Sequence, residues 1–195
     1  HLHGGTEGFD RKLWSATMLP ESGQLVLEYV SPDGEENYPG TLRVKVTYAF
    51  SEDNALSIHY AALCDRDTLC NLTNHAYFNL AGEGSGDVLD HEIMIAADRF
   101  TVVDQDCIPT GELRPVDGTP FDLRKPIRLG DGLAHQASDQ QMTCGNGYDH
   151  NFCLNGAGLR QVASVYAPST GIRMTVDTDQ PGVQFYTGNS LQGVN

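Results

Sequence analysis

From Thr41 to Phe50 the side chains alternate without a break. Leu42, Val44, Val46, Tyr48 and Phe50 hold one parity, and Thr41, Arg43, Lys45, Thr47 and Ala49 hold the other. A period of two puts each set on its own face of an extended chain, so this stretch reads as a β-strand with one apolar face. Leu56, Ile58 and Tyr60 keep the same period, with Ser51-Glu52-Asp53-Asn54 between them as a turn, and the two runs form a hairpin. Leu25, Leu27 and Tyr29 belong to an earlier strand ended by Pro32-Asp33-Gly34. Further strands hold Ile93 and Ile95, then Val162 and Val165, then Ile172, Met174 and Val176, then Val183 and Phe185. No segment carries a helical period beyond a turn or two. With 195 residues the chain is long enough for one substantial core. The expectation is an all-β protein, a large antiparallel β-sandwich forming a single domain over residues 1–195.

The stretch from Asp104 to Tyr148 departs from this pattern. Pro109, Gly111, Pro115, Gly118, Pro120, Pro126 and Gly130 interrupt it, and it reads as a long irregular connection. The sequence opens at His1, inside the motif-like run His1-Leu2-His3-Gly4-Gly5. It therefore reads as a fragment of a longer protein, with a sandwich incomplete at both ends. Such a cut leaves strand edges unpaired, which calls for the rest of the chain or a covering partner.

The formal net charge is −14. An acidic surface repels phosphate backbones, whose binding rests on Lys and Arg, so nucleic acid and anionic membrane are not expected as partners. No apolar run approaches the ~20 residues that span a bilayer. The five cysteines, Cys64, Cys70, Cys107, Cys144 and Cys153, are odd in number and contain no Cys-x-x-Cys. Free thiols in a reducing cytoplasm fit them better than a disulfide framework.

Four segments collect polar and aromatic residues. His3 lies in a run of glycines, which let the backbone turn sharply and approach a ligand. His75 and Tyr77 lie in Asn71-Leu72-Thr73-Asn74-His75-Ala76-Tyr77-Phe78-Asn79-Leu80. Asp149 lies in Gly147-Tyr148-Asp149-His150-Asn151-Phe152, and Gln184 in Gly182-Val183-Gln184-Phe185-Tyr186-Thr187-Gly188-Asn189. A sugar pocket needs this mixture of aromatic faces with donors and acceptors for hydroxyls. Taken singly, each segment also has a plain structural reading. A histidine is often half-buried without a function, Tyr-Phe pairs pack cores, and an aspartate such as Asp149 closes turns. Spacing alone assigns no catalytic role.

Competing motifs fail. Gly188-Asn189-Ser190-Leu191-Gln192 lacks the last glycine of a nucleophile elbow. Gly82-Glu83-Gly84-Ser85-Gly86 is followed by no lysine or helix and makes no phosphate cradle. No His-x-x-x-His pair marks a metal site, and none is expected.

Together these segments resemble the aldose 1-epimerases, also called galactose mutarotases. The resemblance is carried by His1-Leu2-His3-Gly4-Gly5 with Gly8-Phe9-Asp10 and Trp14, and by Asn74-His75-Ala76-Tyr77-Phe78-Asn79-Leu80-Ala81-Gly82. Gly118 to Pro126, Tyr148 to Phe152 and Pro181 to Asn189 follow in the family's order. The resemblance implies a galactose mutarotase-like supersandwich with a hexose substrate in an open groove. It implies that His75 is the general acid on the ring oxygen and that His3 contacts the same region of the sugar. It implies that Asp149 and Gln184 hold hydroxyls and that Tyr77 lines the pocket.

The implied reaction opens a hemiacetal. One group protonates the ring oxygen, another removes the proton of the anomeric hydroxyl, and the aldehyde recloses from either face. Each positioned acid or base contributes roughly 10²–10⁴-fold. Histidine both gives and recovers a proton near neutral pH. No cofactor or metal is required. Two departures stand against the pattern. The family's base is a glutamate beyond the segment matching Gln184 to Asn189, and no glutamate follows Glu112 here. A substrate-binding arginine expected before the first signature would precede His1. The fragment alone is thus expected to be impaired. The alternatives are a non-catalytic sugar-binding β-sandwich and a hexose-6-phosphate 1-epimerase.

Overall fold

The computed structural model describes residues 3–191. His1 and Leu2, which open the first signature, and Gln192 of the failed elbow motif lie outside them. The chain divides into two compact units, residues 1–75 and 76–195.

The first unit is one antiparallel sheet of β1 (Ser15–Leu19), β2 (Gln24–Ser31), β3 (Leu42–Phe50) and β4 (Leu56–Cys64), in that order. The alternating run forms β3, with Val44 and Val46 buried and Arg43 and Lys45 exposed. Val46 lies opposite Leu27 on one side and Tyr60 on the other, so the apolar parity runs across three strands. The burial does not extend to the hairpin mouth. Phe50 and Leu56, paired in register there, are both exposed. Asn54 takes a left-handed conformation at the turn and donates its N–H to the Ser51 carbonyl.

The second unit holds two four-stranded sheets. One is ordered β11-β10-β5-β8 and the other β12-β9-β6-β7. Their strands are β5 (Glu92–Ile95), β6 (Ala97–Val103), β7 (Pro109–Pro115), β8 (Ile127–Arg128), β9 (Asp149–Leu154), β10 (Arg160–Tyr166), β11 (Arg173–Thr178) and β12 (Gly182–Tyr186). Every pairing is antiparallel. Ile93, Ile95, Val162 and Ala163 from one sheet share a buried cluster with Phe100, Val102, Phe152 and Leu154 from the other. Two sheets on one core make a sandwich. Phe100 and Phe121 stack at its centre, 4.1 Å between ring centroids.

The expected irregular stretch after Asp104 is more ordered than its prolines suggest. It contains β7, β8, α1 (Leu129–Leu133) and α2 (Gln140–Cys144). Pro109 and Pro115 are tolerated because β7 is the edge strand of its sheet, where a missing N–H donor costs no ladder bond. The segment is pinned by Gln141, which is buried on α2. Its side chain accepts the Val103 N–H at 2.8 Å and donates to the Val103 carbonyl at 2.8 Å. Among the described residues no helix is long and apolar enough to cross a membrane. All five cysteines are unpaired.

Candidate active site

Within the first unit the structure brings His3 and His75 together. Their rings meet edge to face with centroids 5.4 Å apart. They are 72 positions apart in the chain, and neither sits on a strand. Two devices place them. The backbone turns left-handed at His3, Gly4 and Gly5, with φ of 56°, 99° and 134°. His75 follows Asn74, whose side-chain amide donates to the Tyr48 hydroxyl of β3 at 3.1 Å.

The loop that carries His3 is tied down behind the histidine. Trp14 donates its indole N–H to the Phe9 carbonyl at 2.9 Å, and Phe9, Trp14 and Tyr29 pack ring on ring. Beside them Glu35 pairs with Lys12 at 2.8 Å and accepts from Tyr29 and Ser31. Burial pushes the Glu35 carboxyl up, but the hydrogen bonds from Lys12, Ser31 and Tyr29 outweigh it and hold it below the usual range. The hydrogen bond to Glu35 in turn raises Lys12.

Within the second unit Tyr77, Asp149 and Gln184 are gathered on the outer face of the sandwich. Strand parity explains the arrangement. On β9, His150, Phe152 and Leu154 point into the core, which leaves Asp149, Asn151 and Cys153 on the opposite face. Gln184 lies opposite Asn151 and Tyr186 opposite Asp149, so Gln184 and Tyr186 share that face while Val183 and Phe185 pack on the core. Gln184 donates its side-chain amide to Asp149 at 2.9 Å. Asn151 donates to the Thr101 hydroxyl at 3.0 Å. Tyr77 packs edge-on against Tyr186, 6.1 Å between centroids.

His150 was singled out only as part of a motif, and the structure makes it a core residue. It is fully buried, with its ring 4.6 Å from that of Phe121. Its Nδ1 accepts the Asp149 N–H at 3.2 Å, and its Nε2 is buried without a partner among the described residues. Burial pushes its pKa down to about 4, which keeps the imidazole neutral. Tyr186 is the residue the sequence reasoning missed. The signal was present, because Tyr186 shares parity with Gln184. Asn189 is a second omission. It bonds the Gly145 and Tyr148 carbonyls and the Thr187 hydroxyl, and so fixes the turn that presents Asp149.

Among the described residues no three His, Cys, Asp or Glu side chains are gathered as a metal site would require. The first unit gathers two imidazoles, which suit proton transfer, and the second gathers a carboxylate, amides and phenols, which suit hydroxyl binding.

The family described as aldose 1-epimerase matches this sequence over residues 1–194. The chain belongs to the aldose 1-epimerase family. It is 50% identical over 193 residues to a galactose mutarotase of Sus scrofa, with 98% of this chain and 54% of that protein covered. It is 39% identical to an aldose 1-epimerase of Escherichia coli (strain K12), covering 98% of this chain and 55% of the other. The crystal structure of a galactose 1-epimerase from Lactobacillus acidophilus NCFM superposes with a TM-score of 0.86 at 32% identity, over all of this chain and 56% of that one. The expected all-β antiparallel fold therefore stands. The chain spans about half the length of the curated relatives it matches.

Proposed function

We propose that the protein carrying this chain is a cytoplasmic aldose 1-epimerase that interconverts the α and β anomers of a hexose such as galactose or glucose. The observation that carries the reading is the pairing of His3 with His75, two imidazoles brought ring to ring from opposite ends of the first unit. Family membership and the names of the relatives support it. The unpaired cysteines support the compartment.

In this reading His75 gives its proton to the ring oxygen as the C1–O5 bond breaks, and takes it back on closure. His3 bears on the same end of the sugar. Asp149 and Gln184 hold hydroxyls, and the mutual hydrogen bond keeps both oriented before the sugar arrives. Tyr77 offers an aromatic wall. The proton of the anomeric hydroxyl leaves to a separate base. The residues described here supply the acid half of the reaction.

Polarimetry tests the proposal. Freshly dissolved α-galactose drifts slowly to its equilibrium rotation, and the intact protein is expected to hasten that drift. An unchanged approach to equilibrium with galactose and with glucose refutes the assignment.

A further inference from the structure

His3 occupies a conformation that its own sequence does not enforce. Its φ of 56° is uncommon for a residue with a side chain, and the two glycines after it leave the loop free to leave that state. A left-handed non-glycine residue persists where its surroundings over-determine it. One side chain makes that connection. The carboxylate of Glu36 accepts the Thr6 N–H on Oε2 and the Glu7 N–H on Oε1, both at 2.9 Å. It thus grips two successive amides of the His3 loop from 29 and 30 residues away. The fit is close, since a Cβ at Gly5 would overlap the same carboxylate.

Glu36 is itself held. It sits in the short turn Glu35–Asn37 between β2 and β3, with left-handed φ of 49° at Glu36 and 69° at Asn37. Glu35 anchors that turn inward through Lys12, Tyr29 and Ser31, which leaves Glu36 to reach outward. The two adjacent acids therefore divide the work.

We propose that Glu36 is a positioning residue for His3: by clamping the Thr6 and Glu7 amides it holds the loop so that the His3 ring stands against His75. The proposal rests on the function assigned to His3 above, and its test separates the two. The intact protein is compared with Glu36→Ala, which removes both acceptors, and with Glu36→Gln, which keeps one acceptor oxygen. The isosteric Gln variant also serves if the Ala variant does not fold.

Three readouts are taken with the melting temperature as a control. Amide exchange at Thr6 and Glu7 is expected to quicken by about tenfold or more when the bonds to the carboxylate are lost. The His3 imidazole NMR signals are expected to move, with loss of the ring-to-ring contact to His75. Mutarotation is expected to lose about tenfold to a hundredfold in kcat, with KM within about threefold, because misplacement harms the reaction more than binding. Glu36→Gln should fall between wild type and Glu36→Ala on all three. If exchange and His3 signals match wild type in a folded variant, the proposal is overturned. It is equally overturned if they change while an active enzyme keeps its kcat. If wild-type protein does not mutarotate sugar at all, the functional reading fails, and exchange with the His3 signals alone decides the positioning.

Discussion

At the scale of single residues, the site depends on neighbours that look alike in sequence and differ in environment. Asp149 and His150 are adjacent, yet strand parity sends one to the outer face and the other into the core. Removing Asp149 takes away a charged acceptor and orphans Gln184. Asp149→Ala is expected to raise KM for galactose by roughly tenfold or more, since a hydrogen bond to a charged group is worth about 1.5–3 kcal/mol. Initial-rate mutarotation kinetics measure it.

His150 sets a pH dependence of stability. Its folded-state pKa of about 4 lies below the ordinary value of 6.5, so the unfolded chain takes up the proton first. Stability from this residue is therefore complete above about pH 6.5 and drains away as pH falls to about 4. At about 1.4 kcal/mol per unit the loss is at most about 3.5 kcal/mol. In His150→Asn, whose amide oxygen replaces Nδ1 as acceptor, the fall in thermal midpoint over that window should be smaller than in wild type. Glu35 acts in a different window. Its lowered pKa makes its contribution complete above its unfolded value near ~4.3 and lost only in stronger acid.

At the scale of elements, the sequence was most legible where one face is buried and the other wet. The β3–β4 hairpin was read from Val44, Val46, Ile58 and Tyr60 because period-2 burial leaves a direct mark. It was least legible where position in the sheet overrides local preference. β7 carries Pro109, Gly111 and Pro115, and only its edge position, which no local pattern reports, makes it a strand. The alternation of β9 was hidden because its inward parity begins with a histidine. The clamp of α2 on β6 was not legible either, since it depends on a contact 38 residues apart. Gln141→Leu would leave the Val103 N–H and carbonyl buried and unpaired. It is expected to cost about 2–6 kcal/mol, at about 1–3 kcal/mol for each of the two orphaned groups. Urea unfolding with an unchanged slope would measure it.

At the scale of the whole molecule, each of the two units carries its own cluster of polar and aromatic groups. The first presents a pair of imidazoles. The second presents a carboxylate, an amide and two phenols on the outer face of a sandwich. His75 closes the first unit and Tyr77 stands just inside the next, so a single short segment contributes to both. Motif order made the family legible, whereas the packing of His3 on His75 required the fold. The claim on which the rest depends is that His75 is the acid. Anomer exchange of galactose, followed by NMR on the intact protein and on His75→Ala, tests it directly. The account expects exchange above the spontaneous rate in wild type and a loss of roughly 10²–10⁴-fold in the variant, at an unchanged melting temperature. A folded His75→Ala protein that exchanges anomers as fast as wild type would contradict it.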